Sequence, residues 1–224
     1  MLDIEGTTTP IEFVHQTLFG YARARVREFL ERQRDDPGVR ADVARLKAEQ
    51  AGPWREDVDS VAAYVHGLMD RDSKATGLKS LQGKIWEEGY RTGALRSEIF
   101  PDVPSALERW GGQGIDIAIF SSGSIQAQRS LFAHTTAGDL TGFIRAYFDT
   151  TTGSKTAAQS YARIASALGR SPSDLLFLSD VAAELDAARA AGMRTALCVR
   201  GSGPAPTAGE HPVVHSFDEV RTAG

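Results

Sequence analysis

Cysteine is almost absent from this chain of 224 residues; Cys198 is the only one. A single thiol cannot form an internal disulfide framework, so the chain must fold on its core alone, as proteins of a reducing cytosol do. Cys198 lies in "TALCVR", an apolar run. That setting fits a buried, inert thiol rather than a nucleophile. Long apolar runs are missing as well. None approaches the ~20 residues of a membrane span, and the start lacks the basic and apolar stretches of a signal peptide. A strong charge of either sign is missing too: 25 Lys and Arg face 29 Asp and Glu, a net charge of −4. There is no basic field to hold nucleic acid and no acidic tail or disordered composition. Repeats and low-complexity tracts are absent. The expectation is a cytoplasmic protein with no nucleic-acid partner and no membrane.

Several common catalytic signatures are lacking. "TTGSKT" is not a Walker loop, because the glycine required four residues before Gly-Lys-Thr is missing. "SSGS" lacks the frame of a nucleophile elbow. The five histidines do not form the close helical pair of a zinc hydrolase, and no Gly-x-Gly-x-x-Gly follows a strand.

What is present has a clear order. The 42% hydrophobic content suffices for a real core, and the length suits one large domain or a core domain with an insertion. Residues 11 to 34 read as a helix, with Phe13, Val14, Leu18, Ala22, Val26, Phe29 and Leu30 recurring at three to four residues. "DDPG" punctuates it. A second helix passes through Val43 and Leu46. A third carries Val58, Val61, Val65, Leu68 and Met69, and a fourth runs from about Ser80 to Arg91. Then the pattern changes. "IDIAIF" (115–120), "LLFLSD" (175–180) and "RTALCV" (194–199) are short, nearly continuous apolar runs, as in strands of a parallel sheet buried on both faces. Helices over about 123–133, 156–168 and 181–191 separate them. "GSGPAP" (201–206) reads as a loop, and "PVVHSF" as a last short strand. The alternation predicts an α/β fold, a doubly wound parallel-sheet core, with an all-helical block inserted near its start. The expected division is a core of residues 1–10 and 96–224 and a helical domain of residues 11–95.

In open parallel sheets, ligands bind at the carboxyl ends of the strands. Four elements stand there or in the neighbouring turns. The chain opens "MLDIEGTTTP", with Asp3 and Glu5 set against a Gly-Thr turn. Ser121, Ser122 and Ser124 follow the first apolar run and precede a helix, where hydroxyls and free N–H groups suit an oxyanion. An ordinary helix cap accounts for only one of the three. Lys155 sits in a Gly-Ser-Thr loop. Asp180 ends "LLFLSD", with Glu184 one turn on. One carboxylate can attack phosphorus, another can accept and return a proton, and Asp3 and Asp180 can share a Mg²⁺ ion. Ser122 and Lys155 can bind the remaining phosphoryl oxygens.

These elements in this order resemble the haloacid dehalogenase superfamily. "DIEGTTTPIEFVHQTLF", "LQGKIWEEGYRTGAL", "FPDVP", "SSGSIQAQRSLFAHTTAGDL", "YFDTTTGSK" and "LFLSDVAAELDAARAAGM" together resemble one of its families, the enolase-phosphatases of methionine salvage. Glu5 is telling, because most relatives carry aspartate there. The resemblance implies a phosphorylated diketone as substrate, 2,3-diketo-5-methylthiopentyl 1-phosphate, enolised and then dephosphorylated to an acireductone. It implies Mg²⁺ as cofactor, a helical cap closing over the cleft, and a monomer. It places Asp3, Glu5 and Asp180 on metal positions and Ser121, Ser122 and Lys155 on substrate-phosphate positions. Asp3 is then the nucleophile and Glu5 the general acid or base. Lys79, Lys84, Trp86 and Tyr90 are cap residues that can line the cleft, the last two equally as cap core. A generic phosphatase and a non-catalytic phosphoester-binding relative are the alternatives.

The sequence departs from the family pattern in places. "GSGPAP" replaces Gly-Asn-x-Pro-Leu after the last strand, and "KTAAQSY" lacks a glutamate two residues after the lysine. Only Met1 and Leu2 precede Asp3, against about five residues in a common strand. On that ground the natural start is expected upstream, or the chain is shortened there.

Overall fold

The computed structural model describes residues 1–50, 52–201 and 209–221. The chain divides into two compact units, Met1–Ile11 with Arg96–Gly224, and Glu12–Leu95.

The Glu12–Leu95 unit is helical. A π-helical turn, Phe13–Leu18, runs into α1 (Phe19–Arg32), followed by α2 (Pro37–Glu49), α3 (Val58–Asp70) and α4 (Thr76–Arg91). Pro37 does more than punctuate: it opens α2, where its missing N–H costs nothing, and the Asp36 carboxylate caps that helix by accepting from Val39 N at 2.8 Å. Asp57 caps α3 in the same way, accepting from Ser60 N at 2.9 Å. The apolar stripes meet in one core of Val26, Phe29, Leu46, Val65, Leu78, Leu81 and Ile85, among others. α4 starts four residues earlier than the sequence pattern suggests, at Thr76 rather than Ser80. Gly77 explains why the extra turn fits. A Cβ there would lie 2.8 Å from the Asp42 carbonyl and from Leu46 Cγ, so α2 and α4 approach closely at a residue without a side chain. The Asp42 carboxylate is fully buried, and Ser80 donates to it at 2.8 Å, Arg45 at 2.7 Å, and Lys84 as well. Lys84 thus pairs with Asp42, and Tyr90 is buried. Trp86 packs against the same core and donates from Nε1 to the Leu18 carbonyl at 2.7 Å.

The other unit is a parallel sheet with helices. Its elements are α5 (Asp102–Gly112), β1 (Ile117–Phe120), α6 (Ile125–Ala133), β2 (Ile144–Phe148), α7 (Ala158–Leu168), β3 (Leu176–Ser179), α8 (Ala182–Ala190), β4 (Arg194–Cys198) and β5 (Val213–Val214). β1 pairs with β2, β3 with β4, and β4 with β5, all parallel. The two halves are joined by the first residues of the chain. Leu2 bridges Ile119 on one side and Leu178 on the other, both parallel. Leu2 N donates to Ala118 O at 2.9 Å and Phe120 N to Leu2 O at 3.0 Å. Asp3 N donates to Leu178 O, and Leu178 N to Met1 O, both at 3.0 Å. Short as it is, the segment Met1–Asp3 is paired on both sides rather than frayed. Leu2 is 2% exposed.

Side chains alternate across the strands. Phe120, Phe177 and Leu197 face a core shared with Tyr161 and Ile164 of α7 and Leu185 and Ala188 of α8. Two elements are additions to the sequence pattern. α5 buries Val103, Ala106, Leu107 and Trp110, an i, i+3, i+4, i+7 stripe. β2 is an edge strand with Arg145 turned outward to the Asp116 carboxylate. The loop expected across 201–206 lies outside the described residues from Ser202 onward. Cys198 is buried, and burial pushes its thiol up to about 12, so it is inert.

Candidate active site

The strand ends bring the acid pair, the serines, the lysine and the last aspartate to one end of the sheet. Parallel register sets this: with Leu2 opposite Ile119 and Leu178, the residues after β1 and β3 continue beside those after Asp3.

The opening turn is buried, not solvated. Thr7, Thr8 and Thr9 are fully buried. The Ile4 carbonyl accepts from the N–H groups of Thr7 (3.2 Å), Thr8 (2.9 Å) and Thr9 (2.9 Å), which folds the chain back at once. Gly6 makes this possible with φ +64°, a left-handed conformation costly for other residues. From outside, Phe100 N donates to the Thr8 carbonyl at 3.0 Å and Arg200 Nε to the Thr7 carbonyl at 2.9 Å.

Asp3 is 4% exposed. Lys155 Nζ lies 2.6 Å from Asp3 Oδ1 and 2.6 Å from Glu184 Oε2, so one ammonium is shared by two carboxylates. Ser179 Oγ donates to Glu184 Oε2 at 3.0 Å and lies 3.4 Å from Asp3 Oδ2. Burial works to lower the lysine, but the charges and hydrogen bonds of Asp3 and Glu184 outweigh it and raise it, so Lys155 is held as a cation. Burial first, and then the charge of Asp3, push Glu184 upward despite the lysine. One ammonium does not fully compensate both acids.

Asp180 leans over Gly6. A Cβ on that glycine would lie 2.2 Å from Asp180 Oδ2. Burial, then the charges of Asp3 and Glu5, push the Asp180 carboxyl up to about 6. Glu5 itself is half-buried. Hard oxygen donors with too little positive charge among them are what Mg²⁺ takes, using one or two carboxylates and several waters. No group of three acidic, histidine or cysteine side chains poised for a metal occurs among the described residues. The carboxylates of Asp3 and Asp180, with Glu5 close enough to raise Asp180, have the donor chemistry for such an ion completed by water.

After β1, Ser121 is buried and its Oγ accepts from Gly123 N at 3.3 Å; Ser122 is exposed. Ser124 is the cap, accepting from Ala127 N at 3.2 Å. Three supporting residues carry no assignment in the sequence reading. Asp149 Oδ2 accepts from Ile125 N at 3.3 Å, and its Oδ1 accepts from Thr151 N at 2.9 Å, tying the serine loop to the lysine loop. Gln128 Nε2 donates to the carbonyls of Gly123 (2.8 Å) and Phe148 (2.9 Å). Glu184 stands four residues after Asp180, in the first turn of α8, whereas Asp180 lies before that helix begins. That spacing was the only available signal for any of the three.

The haloacid dehalogenase-like hydrolase family matches residues 1–192. Enolase-phosphatase E1 of Synechococcus elongatus is 49% identical, covering 98% of this chain and 96% of its own. Enolase-phosphatase E1 of Sorangium cellulosum is 47% identical over 98% of this chain and 95% of its own. Among solved structures, the UTR4 protein of Saccharomyces cerevisiae superposes with a TM-score of 0.84 at 33% identity, covering 98% of this chain and 97% of that one. CbbY from Rhodobacter sphaeroides, in complex with phosphate, shares the fold at a TM-score of 0.61 and 17% identity, with coverage of 97% and 93%. This chain belongs to the enolase-phosphatases of methionine salvage, phosphatases within the haloacid dehalogenase-like hydrolases.

Proposed function

We propose that this chain enolises 2,3-diketo-5-methylthiopentyl 1-phosphate and then hydrolyses its phosphate ester to give the acireductone and phosphate. The observation that supports it most is the array of Asp3, Lys155 and Glu184 beside Asp180, at the end of a parallel sheet.

As a carboxylate, Glu5 takes the proton from the carbon beside the carbonyl. Asp3 then attacks phosphorus through one carboxylate oxygen. A bond forms from that oxygen to phosphorus and the ester P–O bond breaks, and the leaving oxygen takes the proton back from Glu5. Water attacks the aspartyl phosphate, Glu5 takes its proton, and Asp3 is released as a carboxylate with free phosphate; Glu5 then gives that proton to the enolate oxygen, which completes the enediol and leaves Glu5 a carboxylate again. Lys155, Ser121 and Ser122 hold the phosphoryl oxygens and offset the charge that grows there. Asp3, Glu5 and Asp180 are the residues that would hold Mg²⁺, which supplies polarisation of the carbonyl and neutralisation of phosphate charge. Residues 11–95 are read as the cap domain that selects the substrate. The protein is read as a cytoplasmic monomer. No helix among the described residues is long and apolar enough to cross a membrane.

The test is turnover of the diketo phosphate with Mg²⁺ or with chelator, following phosphate and the ultraviolet signal of the enediol together. Both signals, both abolished by chelator, are expected. Phosphate without the enediol means a plain phosphatase. Neither signal from a folded protein overturns the reading in favour of a binding role.

A further inference from the structure

Arg200 follows β4 and takes no part in the chemistry above. Its side chain is 8% exposed, and it meets several segments at once. Nε donates to the Thr7 carbonyl at 2.9 Å. Nη1 donates to Asp102 Oδ2 at 2.6 Å and reaches the His215 carbonyl at 3.4 Å. The guanidinium lies 4.7 Å from the Phe100 ring centre and 4.3 Å from that of Phe217. Asp102 Oδ2 also accepts from Phe217 N at 2.6 Å and Ser216 Oγ at 3.2 Å. Burial works to raise Asp102, but these hydrogen bonds and the arginine charge outweigh it and hold the carboxyl below its usual range. The plane of the guanidinium is thus fixed by two rings and a carboxylate before it reaches the turn.

Thr7 adjoins Gly6, and Gly6 is the residue against which Asp180 packs. We propose that Arg200 is a positioning residue for catalysis: through the Thr7 carbonyl it sets where the Gly6 turn stands against Asp180, and with it the spacing of Asp3, Glu5 and Asp180. A lysine cannot replace it. The contact needs a donor in mid-side-chain and a second at the tip, with a flat cation between rings. This inference rests on the roles proposed for Asp3 and Asp180.

Arg200→Gln and Arg200→Met separate this role from plain stability. The glutamine amide nitrogen stands the same number of bonds from Cα as the arginine Nε, so it can still donate to Thr7. Methionine keeps the apolar stem without a donor. Both lose the pair with Asp102, so that loss is common to both. The expected result is a kcat for the methionine variant at least ~10-fold below that of the glutamine variant, with KM within about threefold, since misplaced catalytic groups cost rate. Phosphate release is measured on the diketo phosphate and on p-nitrophenyl phosphate. Amide hydrogen exchange at Thr7, Thr8 and Thr9 is measured in parallel and should be faster in the methionine variant alone. Exchange needs no substrate, so failure of the proposed reaction leaves this inference tested. Equal kcat and equal exchange in the two variants would overturn it. If the unpaired Asp102 prevents folding, the same comparison is made with Asp102→Asn added to both.

Discussion

Asp180 occupies the space that a side chain on Gly6 would fill. A Cβ there would lie 2.2 Å from its Oδ2 and 2.6 Å from its Cγ, and the glycine holds φ +64°. Gly6→Ala therefore meets two penalties. The left-handed backbone costs about 1–2 kcal/mol, and the carboxylate must swing away. The expected outcome is a lower melting temperature and a kcat reduced by roughly 10²-fold, as for other small misplacements of catalytic groups. Activity within a few-fold of the parent would show that the packing of Asp180 on Gly6 does not matter.

Asp3→Asn keeps the shape of the nucleophile and removes its charge. Phosphate release is expected to fall by at least ~10³-fold, because the amide cannot form the acyl phosphate. Phosphate release in a stopped assay checks it, and substantial residual turnover would sink the assignment.

Lys155→Met leaves Asp3 and Glu184 without their shared cation. Two buried acids then face one another, so one must take up a proton. The expectation is a loss of phosphate release of ~10²-fold or more, since both the phosphate contact and the ionised nucleophile suffer. Glu184→Gln, which removes only one of the competing acids, should be milder. The ratio of the two losses, measured at one pH, is the check.

Asp180 sets a pH dependence whose sign is opposite to that of a salt-bridged carboxylate. Its pKa rises from the ordinary 3.8 to about 6 on folding. Between those values the folded protein binds more protons than the unfolded chain. The stability contributed by this group is therefore full below about pH 4 and lost as pH rises through about 6. In metal-free protein at neutral pH, Asp180→Asn should be stabilising by about 1 kcal/mol, discounted for partial solvent screening, or roughly 2–4 °C. The same variant should lose turnover. Melting curves in chelator from pH 4 to 8 show both effects, and a parent and variant that melt alike at every pH would refute the sign.

Leu2→Ala tests the joint between the two halves of the sheet. The side chain is 2% exposed, and the residue bridges Ile119 and Leu178. The expected loss is about 2–5 kcal/mol, read by chemical denaturation.

The sequence shows some of this directly and hides the rest for physical reasons. β1, β3 and β4 are legible because a strand buried on both faces must be apolar throughout. β2 is not, because an edge strand can turn Arg145 to solvent and pair it with Asp116. α5 begins inside "FPDVP", whose two prolines read as loop, and its stripe of Val103, Ala106, Leu107 and Trp110 lies in a helix of only 11 residues. The first strand looks too short when only the residues before Asp3 are counted. Asp3 itself donates a ladder bond, and both neighbours reach the segment. Asp3, Glu5, Lys155 and Asp180 are visible as chemistry at strand ends. The supports around them are not, because Asp149, Gln128 and Arg200 each make a hydrogen bond to a backbone atom distant in the chain, at Ile125, Phe148 and Thr7, and such bonds leave no pattern in residue types.

The pairing of Met1–Asp3 between β1 and β3 has a consequence for how the protein is made. Met1–Asp3 leave the ribosome long before their partners exist. One partner strand is complete at Phe120 and the other only at Ser179. Met1–Asp3 are thus held by two later strands, and the nucleophile stays without a site until Ser179 has emerged. Such non-local pairing slows folding, whereas Glu12–Leu95, a continuous stretch with its own core, can collapse while synthesis continues. A nascent chain that stalls before β3 can carry a formed helical unit and still have nothing to hold Asp3.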